Sequence, residues 1–96
     1  MSRKEKLLQR FLSMPKDFRY DEIVKLLNGF GFHEAPTGKT SGSRVRFEHE
    51  KLIGLPILLH KPHPKNILKS YQLKSILNDL INYGLLKMEY DEKRQQ

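Results

Sequence analysis

With 96 residues, 38% of them hydrophobic, the chain has material for one compact core, and a single domain over 1–96 is expected. The longest apolar stretch, 52–59, is interrupted by Gly54 and Pro56 and is too short to span a bilayer, while Met1 to Lys6 lack the apolar region of a signal peptide. With no cysteine, disulfides, thiolate nucleophiles and Cys-based zinc sites are excluded; these features predict a cytoplasmic protein with no membrane contact. The net charge of +7 points to a polyanionic partner, nucleic acid before an acidic protein, with a merely solvated Lys-rich surface as the plain alternative.

The first helix is expected over 2–14. Ser2 and Glu5 have capping-box spacing, Leu7, Leu8, Phe11 and Leu12 form a helical stripe, and Pro15 blocks continuation. This stripe is expected to complete the core rather than to meet a partner. A second helix, 20–28, places Ile23, Leu26, Leu27 and Phe30 on one face, with Asp21 and Glu22 at its positive end. Gly29 and Gly31 form its exit. Residues 32–35 read as a short strand, and Pro36 to Gly42 read as a loop. In the second strand, 43–49, Val45, Phe47 and His49 share one face, while Arg44, Arg46 and Glu48 share the other. A third strand over 53–60 would turn Leu55, Ile57 and Leu59 inward, and Pro56 suits it to an edge. The last helix, 70–83, carries Leu73, Ile76, Leu77, Leu80 and Ile81 and stops at Gly84. The fold class is therefore α+β. An extra N-terminal helix (1–14) precedes the α-β-β-β-α plan of double-stranded-RNA-binding domains (19–86), with helices covering one face of an antiparallel sheet. A loose charged tail is expected over 87–96.

Gly38-Lys39-Thr40 imitates part of a nucleotide-phosphate loop, but His33 stands where the motif needs glycine, and a strand follows instead of a helix. That reading is rejected. Lys39, Arg44 and Arg46, with Thr40, Ser41 and Ser43, place cations beside small hydrogen-bonding side chains, a mixture suited to phosphate and 2′-hydroxyl contacts; a solvated sheet face would have the same composition. Lys61, Lys65, Lys69 and Lys74 extend the positive charge. Of the histidines, His33 reads as a surface residue and His49 as a partly buried structural one. His60 shares its nominal face with Arg44 and Arg46, and histidine is the side chain suited to proton transfer near neutrality. A metal held by His60 and His63 is disfavoured by the intervening prolines and the lack of a nearby carboxylate, so no metal or other cofactor is expected.

From Tyr20 to Leu85 the chain resembles the HicA toxins, also called YcfA-like mRNA interferases. The likeness rests on Glu22-Ile23-Val24-Lys25-Leu26-Leu27 followed by Gly31-Phe32, on Gly42-Ser43 before an alternating basic strand, and on Phe47-Glu48-His49. It continues with His60, Leu68-Lys69 and Leu73-Lys74-Ser75-Ile76-Leu77; each piece is weak alone, but their order is fairly specific. The resemblance implies a double-stranded-RNA-binding-domain-like toxin that cleaves mRNA without a metal and is blocked by a HicB-type antitoxin. It also implies a catalytic histidine directly after Gly42-Ser43, where this chain has Arg44. Arginine stays protonated and cannot act as a general base, though it can hold a phosphate. Three readings stay open. His60 or His49 takes over proton transfer with Arg44 as clamp, or the chain binds RNA without cutting, or its basic face serves an acidic antitoxin. The leading assignment makes His60 and Arg44 catalytic, with Lys39, Ser43, Arg46, Lys61 and Lys69 as RNA contacts.

Overall fold

The computed structural model describes residues 3–35, 44–62 and 65–86. Helix α1 (Arg3–Leu12) is followed by α2 (Tyr20–Gly29), strands β1 (Phe32–Glu34), β2 (Arg44–His49) and β3 (Ile57–His60), and helix α3 (Ser70–Asn82). The strands form one antiparallel sheet in the order β1-β2-β3, and the α2-β1-β2-β3-α3 order is compatible with the double-stranded-RNA-binding-domain plan. No described helix is long and apolar enough to cross a membrane.

The expected alternation of β2 holds. Val45 and Phe47 are buried and His49 is half-buried, whereas Arg44, Arg46 and Glu48 are exposed. Phe32, Ile57 and Leu59 extend the buried face, against which Ile23, Leu26 and Leu27 of α2 and Leu73, Ile76 and Leu80 of α3 pack. One face of the sheet is thus covered by helices, and the other meets solvent.

The starts of α2 and α3 and the end of α3 are satisfied locally. Arg19 and Lys69 precede α2 and α3, and their backbone N–H groups donate to Glu22 Oε1 and Gln72 Oε1, both at 3.0 Å. A cationic side chain cannot return the bond, so this is half of a capping box. At the end of α3, Leu85 N–H donates to the Leu80 carbonyl and Gly84 N–H to that of Ile81; Gly84 supplies the left-handed φ of 77° that this closure requires. The two helix starts are tied together by Leu68 N–H to the Phe18 carbonyl (2.7 Å) and Tyr20 N–H to that of Asn66 (2.9 Å).

The third strand is shorter than its composition predicts. It begins at Ile57, not Ile53, and Leu55 is exposed instead of facing the core. Residues 50–54 bend and turn through Gly54 (φ 86°), with the Lys51 and Leu52 N–H groups donating to the His49 ring, so apolar residues there have no ladder to join. Pro56 consequently precedes the edge strand and does not lie within it. The first helix does supply core. Phe11 is fully buried and meets Phe18 edge-on at 5.8 Å, while Leu7, Leu8 and Leu12 pack around it. Arg10 fastens α1 to α2 through Glu22 (2.8 Å).

Candidate nucleic-acid interface

The register of β2 against β3 pairs Arg44 with His60 and Arg46 with Leu58. Cross-strand partners in an antiparallel ladder project from the same face, with Cβ atoms roughly 4.5–5.5 Å apart. Arg44 and His60, 16 positions apart in sequence and at the strand ends remote from the β2–β3 connection, therefore stand side by side on the open face. Among the described residues nothing pairs with the Arg44 guanidinium or the His60 imidazole. Arg46 differs, because its Nε donates to Glu48 Oε2 at 2.8 Å and its charge is largely answered within its own strand.

From His60 the surface continues into a cavity of about 590 Å³ at the start of α3. Lys61, Lys65 and Lys69 line it, and Lys16 joins them from the α1–α2 connection. The pairing of residues 18–20 with 66–68 carries that connection to the cavity. Gln72, buried below it, donates to the His60 carbonyl at 3.0 Å, which fixes the end of β3 against α3. Lys61 Nζ lies 5.2 Å above the Tyr20 ring, a cation–π contact. Tyr20 itself donates to Glu34 Oε1 at 3.0 Å; burial first, then this carboxylate, pushes its hydroxyl above the ordinary tyrosine range, so it stays protonated. Four amines and an imidazole around one concavity make a surface that attracts phosphate.

His49 has a different task. Its Nδ1 accepts the backbone N–H groups of Lys51 and Leu52, both at 3.0 Å, so Nε2 carries the proton and donates to the Phe30 carbonyl at 2.8 Å. Nδ1 thus holds the turn after β2 and Nε2 ties the β2 exit to the α2 exit, while the ring packs edge-on against Phe32 at 4.9 Å. It is a structural histidine, as its strand parity predicts. His33 is exposed, 3.7 Å from Glu50.

A family model described as the HicA toxin of bacterial toxin-antitoxin systems matches residues 20–80. The chain belongs to the HicA toxin family. The match runs from the first residue of α2 to near the end of α3, so this HicA chain carries α1 as an element outside the matched segment. No curated protein and no solved structure matches it.

Of the residues proposed from sequence, the HicA fold brings His60, Arg44, Lys61 and Lys69 to one continuous surface, while Arg46 stands on the same sheet face tied to Glu48. Lys39, Ser43 and His63 lie outside the described residues, as does the tail 87–96. Lys16 and Tyr71 line the cavity but escaped the sequence reading. Tyr71 was legible as an aromatic off the buried stripe of α3; Lys16 was not, since only tertiary pairing carries it there.

Proposed function

We propose that this HicA-family chain is the toxin of a toxin–antitoxin pair, that it binds RNA across its open sheet edge and cationic cavity, and that it cleaves the strand there. The observation that carries this reading is the pairing of Arg44 with His60 beside the lysine-lined cavity. Lys61, Lys65 and Lys69 hold backbone phosphates, and Arg44 meets the scissile one. His60 removes the proton of the adjacent 2′-hydroxyl; O2′ attacks phosphorus, the P–O5′ bond breaks, and O5′ takes a proton from solvent. The products are a 2′,3′-cyclic phosphate and a free 5′-hydroxyl. Arg44 stabilises the charge that gathers on the phosphoryl oxygens, a role open to a permanently charged fork. Arg46 can add to this clamp through the Nη groups that its single Nε bond to Glu48 leaves available, with its charge partly offset by that carboxylate. A HicB-type antitoxin silences the toxin by covering the same face, where the exposed Leu58 between charged neighbours offers an apolar contact.

A second reading is favoured by one observation, the arginine that follows Gly42-Ser43 where the family resemblance implies a histidine. In it the chain binds RNA or antitoxin without scission. Incubating RNA with the purified chain in EDTA, beside His60→Ala prepared identically, separates the two. Cleavage by wild type, reduced at least a hundredfold in the variant (about 10² being the lower range for a general acid–base group), is the expected result. A variant that cuts at the wild-type rate removes His60 from the mechanism, and silence from both, with binding retained, establishes the non-catalytic reading.

A further inference from the structure

Four large hydrophobic residues are exposed among the described residues: Ile53, Leu55, Leu58 and Tyr71. Tyr71 is the aromatic one, and it alone of the four lines the cationic cavity. It is the second residue of α3, 67% exposed, and takes no part in the helix's buried stripe of Leu73, Ile76 and Leu80. Among the described residues its hydroxyl has no hydrogen-bond partner and its ring no aromatic or cationic neighbour, in contrast to Tyr20, which has both a carboxylate and Lys61. Its π-face is thus open, beside lysines that suit phosphates. The cavity, about 590 Å³, falls within the roughly 300–1,000 Å³ of clefts that seat a small ligand, which accommodates one nucleotide unit.

We infer that Tyr71 is a specificity-determining residue that stacks one unpaired base, while Lys65 and Lys69 hold the flanking phosphates. The inference rests on the RNA-binding reading above and adds what that reading leaves open, namely how the strand is presented. Base faces in an A-form duplex are covered by their neighbours, whereas a single strand can turn one out onto an aromatic ring. The HicA chain therefore selects an unpaired nucleotide even though its fold follows a duplex-binding plan. Because stacking is available to every base, Tyr71 imposes strandedness and register more than base identity.

The test uses the full chain and fluorescein-labelled 2′-O-methyl RNA, which cannot be cut, as a single strand and annealed to its complement; anisotropy reports affinity. Wild type should prefer the single strand. Tyr71→Leu, which keeps an apolar side chain at an exposed position, should bind it about five- to a hundredfold more weakly, and Tyr71→Phe should stay within about twofold of wild type. The duplex affinity should be equal for all three. Abasic substitution along the strand should reveal one position whose loss matches that of Tyr71→Leu and does not add to it. If Tyr71→Leu binds the single strand as wild type does, while wild-type binding remains tight and salt-dependent, the stacking role is overturned and the RNA-binding reading survives. If wild type binds neither RNA, the underlying reading fails and takes this inference with it.

Discussion

At Gly31 the backbone runs through φ 98°, and a Cβ added there would come within 2.7 Å of His49 Nε2. The glycine in the α2 exit and the histidine at the β2 exit are therefore one structural unit, though 18 positions separate them in sequence. Glu22 is a second residue fixed from two sides. It receives the Arg10 guanidinium at 2.8 Å and the Arg19 backbone N–H at 3.0 Å, and the Arg10 bond is the first cause holding its carboxyl below the usual range. The folded protein thus binds this proton less readily than the unfolded chain. The resulting stability is complete above the ordinary value of 4.5 and is lost as pH falls through the lower folded value. Glu22→Gln should cost about 1 kcal/mol at neutral pH, through loss of the ion pair and weakening of the cap, and should blunt the acid limb of a pH series of urea midpoints. An acid limb as steep as that of wild type would assign the loss to other carboxylates. Of these residue-level features, the structural role of His49 was legible from strand parity with Val45 and Phe47. The partner of Glu22 was not, because Arg10 reaches it from a separate helix.

Two elements show where local pattern suffices and where it stops. The stripe of α1 predicted burial, and Phe11 at 0% exposure, edge-on to Phe18, confirms that the helix completes the core although it lies outside the family-matched segment. Phe11→Ala should accordingly destabilise the chain by about 3–5 kcal/mol in urea unfolding, the range for a fully buried aromatic truncated in a packed site. A change below roughly 1 kcal/mol would mean that α1 docks loosely and is dispensable to the core. Strand β3 is the contrasting case. Period-two patterning extended it back to Ile53, but Leu55 is exposed, because the His49 ring and Gly54 hold the chain in a turn between β2 and β3. A ladder needs a partner strand in register as well as an alternating sequence, and β2 ends at His49. Register is also what unites the candidate site, since no one-dimensional spacing rule puts Arg44 opposite His60.

At the scale of the molecule, a charge of +7 becomes functional only when it is concentrated. Lys16, Lys61, Lys65 and Lys69 meet at one cavity, whereas Lys74, on the same helix as the cavity wall, does not line it. Replacing both Lys65 and Lys69 by glutamine should lower the slope of log affinity against log salt for single-stranded RNA by about 1.4, roughly 0.7 for each lost phosphate contact. Lys74→Gln should leave the slope nearly unchanged. Equal effects at all three lysines in a potassium chloride titration would indicate a diffuse attraction without a seat.

The sequence by itself determined the element order, the buried stripes of α1, α2 and α3, the two faces of β2, and the cationic character. Each of these depends on local periodicity or on composition, which a chain carries before it folds. Tertiary structure decided the rest: where β3 begins, that Lys16 joins the cavity, that Arg46 is answered by Glu48, and that Tyr71 stands open beside the lysines. Those facts depend on strand register and on the pairing of residues 18–20 with 66–68, contacts between distant segments that exist only once both have found their places.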